Sequence, residues 1–355
     1  MTGAIRIVIG GVDTHKDAHV AAAIDSAGRL LGTASFPTTP AGYDALDTWL
    51  SAFGTVERIG IEGTSSYGSG LTRFLLAAGR AVVEVVRPNR QLRRQRGKSD
   101  AIDAEAAARA ALAQQTAQIP KAQNGTVELL RVLRLQRRSA MIARTQAGNQ
   151  LHAVVASAPD RLRQRYRDRT LPVLIGALHR KRKITGVQLD DVTYGVLRAL
   201  ARRWSQLHAE IHAVDLQLNA LVRACAPLLL DRPGVGVDVA SALLVAAGDN
   251  PERLRTEAAF AALCGVAPLD ASSGRQQRHR LSRSGNRDAN RALWVIAFVR
   301  WRMDATTKVY AARRIAEGRS KLEVIRCLKR YIAREVFKLL QPVVTASPPE
   351  ATPTP

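Results

Sequence analysis

Ile5-Arg6-Ile7-Val8-Ile9-Gly10-Gly11-Val12-Asp13-Thr14-His15-Lys16-Asp17 is the stretch from which the rest of the chain is read. Apolar side chains at Ile5, Ile7, Val8 and Ile9 predict a buried first strand over residues 5–12. Two glycines follow, and the strand then delivers a carboxylate, Asp13, with Asp17 shortly after. Taken alone, a strand-end aspartate is as ordinary as a turn former or a cap. Asp13 gains meaning from acids further on: Glu62 at the end of another apolar run, then Asp100 and Asp103.

Working outward, residues 18–25 and 29–36 predict two more strands, joined at Ser26-Ala27-Gly28 by a hairpin turn. Residues 38–53 predict a helix, with Thr39 as cap, Pro40 in the first turn and Tyr43, Leu46, Trp49 and Leu50 at helical spacing. Val56 to Glu62 predicts a fourth strand, 69–78 a helix and 81–86 a fifth strand stopped by Arg87-Pro88. Asp100 to Ala113 predicts an alanine-rich helix. The order β-β-β-α-β-α-β-α is that of the RNase H-like fold, in which strands one and four lie side by side. That adjacency would bring Asp13 and Glu62 together. Asp100 and Asp103, spaced i, i+3, share one helix face. Four converging carboxylates repel one another unless cations separate them, and a pair of Mg²⁺ ions about 3.5–4 Å apart is the usual reason for such a set. The structural alternative for Asp100 and Asp103 is the preference of acids for a helix N-terminus.

Charge supplies a second, independent line. The 355 residues carry 53 Lys and Arg against 30 Asp and Glu, a formal +23. That excess points to a polyanionic partner, and nucleic acid is commoner than an anionic membrane for a chain without lipid-insertion signals. No apolar run approaches the roughly 18–20 residues of a membrane span. No charged n-region precedes an apolar segment at the N-terminus. The expected location is the cytoplasm. Cys225, Cys264 and Cys327 have no metal-binding spacing and read as buried thiols of a reducing compartment.

The length accommodates roughly two or three domains. The expected boundaries are 1–115 for the acid-bearing α/β domain, 116–226 for a basic helical arm or coiled-coil linker, 227–341 for a mostly helical C-terminal domain, and 342–355 for a disordered Pro/Thr/Ser-rich tail. Within the arm, 127–152 and 204–222 carry apolar residues at spacings of three and four and predict two long amphipathic helices, an antiparallel arm suited to oligomerisation. Between them, the Arg-rich stretch of 159–183, with Tyr166, reads as an exposed basic face or a nucleic-acid contact. The run Arg90 to Lys98, with Arg93, Arg94, Arg96 and Lys98, precedes the last two acids and suits phosphate neutralisation.

Arg232-Pro233-Gly234-Val235-Gly236, followed by a helix from Val239, has the form of a helix-hairpin-helix turn. There the backbone at Gly234 and Gly236 can approach a phosphate, although a plain glycine-rich connector has the same composition. Residues 251–263 predict a further helix ended by Cys264-Gly265. The segment 269–290 is Ser/Gly-rich and basic, with Arg275, Arg278, Arg280 and Arg283. By itself it reads as a loop gripping a nucleic-acid backbone, and it also has what a hydroxyl nucleophile facing a phosphate needs. Helices over 289–303 and 321–340 close the chain, with Trp294, Phe298 and Trp301 expected in the core.

These pieces together resemble the DEDD transposases of the insertion-sequence group "IS one-ten", including its "IS eleven-eleven" branch, the bridge-RNA-guided DNA recombinases. The resemblance is carried by G-V-D-T-H-K (11–16), I-E-G-T (61–64), K-S-D-A-I-D-A (98–104), R-P-G-V-G (232–236), F-A-A-L-C-G-V-A-P (260–268), S-S-G (272–274) and S-R-S-G-N (282–286), in family order across residues 5–340. It implies a RuvC-like N-terminal domain with catalytic, metal-binding acids at Asp13, Glu62, Asp100 and Asp103, holding Mg²⁺, two per site. It further implies a C-terminal transposase domain with a serine nucleophile at Ser273, Ser272 being the adjacent alternative. The implied partners are a structured noncoding bridge RNA, donor and target DNA, and further copies of the chain in a dimer or tetramer. The implied chemistry is strand cleavage and rejoining through a phosphoserine link. Two other readings share the residues: a RuvC-like structure-specific endonuclease that uses water, and a non-catalytic RNA/DNA-binding protein.

Overall fold

The computed structural model describes residues 6–85, 99–113, 118–180, 188–250, 253–274, 279–280, 282 and 284–345. It divides into two compact units, one of residues 1–128 with 243–355 and the other of residues 129–242.

The first unit is built on a five-stranded sheet of order β3-β2-β1-β4-β5, with β1 Ile7–Thr14, β2 Ala18–Asp25, β3 Leu30–Pro37, β4 Thr55–Glu62 and β5 Val82–Val85. β1 pairs antiparallel with β2 and parallel with β4, and β5 continues parallel beyond β4. Strands one and four are therefore neighbours, as the element order predicts. β1 runs through Thr14 rather than stopping at 12, so Asp13 belongs to the strand, paired with Val20, and not to the turn after it. Gln118 adds one antiparallel bridge to Glu84 at the far edge.

Strand alternation divides the sheet's two faces. Val8, Val12, Ile59 and Ile61 point to one side, where they are buried with Leu46 and Leu50 of α1 (Pro40–Ala52) and Leu71 and Leu75 of α2 (Ser69–Ala77). Thr39 caps α1 by accepting from the Gly42 amide, with Pro40 in the first turn. On the other side Ile9 and Ile24 pack against α3 (Asp100–Ala113) through Ala108 and Ala111.

That second face is shaped by two glycines. Gly11 and Gly60 sit opposite each other on β1 and β4. A Cβ on Gly11 would stand 2.1 Å from the Ala108 nitrogen and 2.3 Å from the Ala104 oxygen, and one on Gly60 would stand 2.6 Å from the Ala107 oxygen. The alanine face of α3 lies directly on backbone. Any side chain at either position would push the helix away.

Elsewhere in this unit the helices are α9 (Val237–Ala247, its last turns), α10 (Glu257–Leu263), α11 (Arg287–Met303), α12 (Ala305–Ala316) and α13 (Lys321–Thr345), with a two-stranded ribbon of β6 (Leu269–Asp270) and β7 (His279–Arg280). The helix expected over 251–263 starts only at Glu257, where the Thr256 side chain accepts from the Ala259 amide. Between the two helices expected over 289–303 and 321–340 stands a further one, α12, which Asp304 caps and separates from α11. α13 continues past Pro342 to Thr345, into the stretch read as tail; residues 346–355 lie outside the described ones.

In the second unit, α4 (Thr126–Ala156) and α7 (Gln188–Cys225) are both longer than the periodicity suggested, and they run antiparallel. Arg137 meets Asp215 at 2.5 Å, while seven residues on Arg144 meets His208 at 3.1 Å and lies over the Trp204 ring. The intervening basic stretch folds into α5 (Asp160–Tyr166) and α6 (Leu171–His179). Leu162, Tyr166, Leu174, Ile175 and Leu178 form a core with Leu151, Val155, Tyr194, Leu197 and Ala201. Tyr166 is 3% exposed and has Arg165 and Arg169 against its ring. It is a core residue, not the nucleic-acid contact its Arg-rich context suggested. α8 is the short helix Pro227–Leu230 before the glycine-rich turn.

Of the cysteines, Cys264 is buried, whereas Cys225 and Cys327 are only partly so; none of the three is in a disulfide. No helix among the described residues is long and apolar enough to cross a membrane.

Candidate metal centre and the serine loop

The glycines that let α3 down onto the sheet also aim the acids. Asp13 lies two residues beyond Gly11, and Glu62 two beyond Gly60, so both carboxylates share the face on which α3 packs. They emerge past the first turn of α3, which supplies Asp100 and Asp103. Asp13, Glu62 and Asp103 are buried, while Asp100 is exposed. Burial pushes the Asp13 carboxyl above its ordinary value. His15 pulls it back, and the charges of Glu62 and Asp103 push it up again. All three predicted neighbours of Asp13 are thus brought to it, Asp100 through His15.

His15 was not singled out in the sequence. Its Nε2 lies 3.1 Å from Asp13 Oδ2 and 3.5 Å from Asp100 Oδ1. Asp13, His15 and Asp100 each offer a ligand atom within 4.8 Å of the others. The available signal was its place two residues after Asp13, although β1 ends at Thr14 and strand alternation alone does not place it.

The site's rim is fixed by hydrogen bonds. Thr14 Oγ1 donates to the Glu62 carbonyl at 2.8 Å, tying the ends of β1 and β4 together. Gly63, in the left-handed region at φ 72°, turns the chain away. Gln123, buried and itself at φ 56°, donates from Nε2 to the Thr64 carbonyl at 2.8 Å. A glutamine held in the left-handed region costs on the order of 1 kcal/mol, so its surroundings must over-determine it. They do so locally: Asn250 donates to the Pro120 carbonyl and accepts from the Ala122 amide, and Asp249 accepts from the Val127 amide.

In the C-terminal part, the predicted serine segment stands on the β6–β7 ribbon. Ser272 is committed locally: its amide donates to Asp270 Oδ1 at 2.9 Å, and its hydroxyl contacts the same oxygen. Ser273 is exposed, its hydroxyl makes no hydrogen bond among the described residues, and Gly274 after it is left-handed at φ 57° with open space around it.

Two further motifs lock together. Gly285, at φ 100°, lies so near Gly265 that a Cβ would stand 2.6 Å from the Gly265 nitrogen. The Asn286 amide donates to the Leu263 carbonyl at 2.6 Å. Asn290 Nδ2 donates to the Cys264 carbonyl at 2.8 Å and accepts at Oδ1 from the buried Lys329 at 2.7 Å. Cys-Gly-Val-Ala-Pro and Ser-Arg-Ser-Gly-Asn are thus two sides of one backbone contact.

Of the predicted nucleic-acid contacts, Gly234 is left-handed at φ 79°, Gly236 has open space where a Cβ would be, and Arg280 lines a cavity of about 770 Å³ with Arg319, Arg326, Lys329 and Tyr331. Arg93, Arg94, Arg96, Lys98, Arg275, Arg278 and Arg283 lie outside the described residues.

Comparison with known proteins converges on the same segments. A family model described as a transposase, of the DEDD type of IS110, matches residues 10–158, and that of the transposase IS116/IS110/IS902 family matches 226–312. Between them they span more than half of the chain, covering the acid-bearing sheet and the serine ribbon. The chain is therefore of the transposase class. Within it, the chain belongs to the IS110 family of DEDD transposases. The uncharacterized 43.6 kDa protein of insertion element IS110 from Streptomyces coelicolor is 33% identical over 149 residues, 41% of this chain and 36% of that protein. The uncharacterized 42 kDa protein of insertion element IS900 from Mycobacterium paratuberculosis is 26% identical over 149 residues, 41% of this chain and 37% of that protein. The matched stretch thus spans little more than a third of either relative.

Proposed function

We propose that this protein cuts and rejoins DNA as the recombinase of an insertion sequence, through an RNase H-like, RuvC-like acidic centre and a serine nucleophile. The observation that carries the reading is the convergence on Asp13 of Glu62, Asp103 and, through His15, Asp100. A buried carboxylate pressed by two others is disfavoured without a counter-charge. The carboxylate oxygens, with His15 Nε2 beside them, suit a divalent cation, and the predominance of oxygen donors favours a hard one such as Mg²⁺. Asp13, Glu62, Asp100 and Asp103 would hold it, two ions per site by family resemblance. When bound, it would supply Lewis-acid polarisation of a phosphodiester and neutralise charge at its oxygens.

The chain's own residues do the rest. The carboxylates would hold the cation against which the phosphate to be cut is seated. The Ser273 hydroxyl attacks that phosphorus, expelling a sugar hydroxyl and leaving a phosphoserine link; attack by a hydroxyl of the second strand reverses it and restores the serine. The freedom of the Ser273 hydroxyl, against the commitment of Ser272 to Asp270, supports Ser273 in this role. The net charge of +23 suits binding of donor and target DNA and of a structured bridge RNA that supplies sequence specificity by pairing. The acids and the serine lie far apart in the chain, which suits a composite site in a dimer or tetramer.

The test is a joining assay on donor and target plasmids, with and without RNA transcribed from the sequence flanking the gene. Joined product should need both Mg²⁺ and that RNA. Ser273→Ala should abolish joining while Ser272→Ala retains it. A Ser273→Ala protein that still joins strands would move the chemistry to water or to another hydroxyl.

A further inference from the structure

Trp294 and Phe298, expected in the core, are 43% and 40% exposed. They occupy the outer face of α11 while Ala289, Ala292, Leu293, Ile296 and Ala297 fill the inner one. Their rings stack at 5.1 Å with 11° between planes. The exposed stripe reads Arg287, Arg291, Trp294, Phe298, Arg302, at spacings of four, three, four and four, one line along the helix. Arg302 lies over the Phe298 ring at 5.7 Å. Among the described residues no carboxylate pairs with Arg287, Arg291 or Arg302. At the N-terminal end the stripe borders a cavity of about 390 Å³ lined by Ser284, Arg287, Asn290, Arg291, Trp294 and Lys329. The size falls within the roughly 300–1,000 Å³ of ordinary ligand pockets.

We propose that this face of α11 is a stacking platform for unpaired nucleotides, a base extending the Trp294–Phe298 stack and its phosphate seated in the cavity against Arg287, Arg291 and Lys329. The inference rests on the nucleic-acid reading above and adds the site and the strand form. Two stacked aromatic rings flanked by arginines suit a single strand, whose exposed bases can join the stack while its phosphates meet the cations. A duplex hides its base faces and would use only the arginines. A second copy of the chain is a poorer occupant, because self-pairing of this stripe sets arginine against arginine. The cavity floor is rigid: Gly285 is seated on Gly265, and Asn290 is held between Lys329 and the Cys264 carbonyl.

The experiment is fluorescence anisotropy with the full chain, using labelled single-stranded DNA, single-stranded RNA and duplex DNA of one sequence. Trp294→Ala should weaken binding of at least one single strand roughly tenfold and leave duplex binding unchanged. The strand that loses affinity identifies whether DNA or RNA occupies the platform. Trp294→Phe should restore binding, and Arg291→Ala should lower the salt slope by about one where Trp294→Ala does not. Equal loss for duplex and single strands, or no loss at all, overturns the platform while leaving nucleic-acid binding intact. So does a Trp294→Ala protein whose only change is a smaller assembly by light scattering, which would assign the face to a second copy. A wild-type chain that binds none of the three would bring down the broader reading as well.

Discussion

His15 Nε2 bridges Asp13 and Asp100, at 3.1 Å from one carboxylate and 3.5 Å from the other. It is the one side chain among the described residues that brings a potential positive charge to both. Burial and the neighbouring Glu62 and Asp103 hold the Asp13 proton affinity above normal even so. An acid whose folded pKa is raised makes the folded state less stable where it is ionised.

The first prediction follows from that sign. Asp13→Asn should melt at a higher temperature than wild type in EDTA at neutral pH, because it removes a buried charge and its repulsions. The difference should shrink as pH falls and the wild-type Asp13 takes up its proton. Mg²⁺ should reverse the ranking: wild type gains ~2.7 kcal/mol at a hundredfold excess over Kd, and the variant gains less. Differential scanning calorimetry in both conditions reads the effect.

Gly11→Ala tests how the acids are aimed. The new methyl would meet the Ala108 nitrogen and the Ala104 oxygen, which belong to helix backbone and cannot swing aside. A cost of about 1–3 kcal/mol is expected from overpacking. Because α3 carries Asp100 and Asp103, strand cleavage should fall further than stability does. Gly10→Ala meets the Leu50 side chain at 2.9 Å on the other face, so it should destabilise while displacing α3 less. Chemical denaturation alongside a cleavage assay separates the two.

His19 offers a pH test away from the acids. It is fully buried on β2, stacked at 5.8 Å on Tyr43, with neither ring nitrogen hydrogen-bonded. Burial is the chief cause that lowers its pKa from 6.5. The unfolded chain therefore takes a proton first, and stability is lost as pH falls below about 6.5, by up to ~1.4 kcal/mol per pH unit until the folded pKa is reached. His19→Phe keeps the stack and should flatten that part of the wild-type curve. Parallel slopes for the two proteins just below pH 6.5 would contradict the assignment.

Gly285→Ala bears on the C-terminal lock. At φ 100° with the Gly265 nitrogen 2.6 Å from the added carbon, both conformation and space forbid it. We expect a loss of about 1–3 kcal/mol. Amide exchange should rise in α10 and at the start of α11, while β1 and β4 stay protected.

What the sequence disclosed was what depends on short-range periodicity. The strand order, the Thr39 cap and the full extent of α3 were legible because alternation, capping and an alanine run are local signals. Asp13, Glu62 and Asp100 stood out because each lies at the end of a predicted element, and Asp103 because it follows Asp100 by one helical turn. His15 was not, because its partners come from two elements and no local rule favours a histidine there. Tyr166 misled because an Arg-rich segment hides its apolar minority: Leu162, Leu174 and Leu178 are enough to fold it inward. Trp294 and Phe298 misled in the opposite direction. Aromatics at helical spacing read as core, yet three alanines with Leu293 and Ile296 already fill the buried face of α11.

The most direct test of the central claim is the binding of Mn²⁺, as a stand-in for Mg²⁺, followed by the loss of its free-ion electron paramagnetic resonance signal. Wild type should deplete the signal, and Asp13→Asn with Glu62→Gln and Asp103→Asn should restore it to that of buffer. Equal depletion by wild type and by the triple variant would show that these acids do not hold the metal, and would contradict the account.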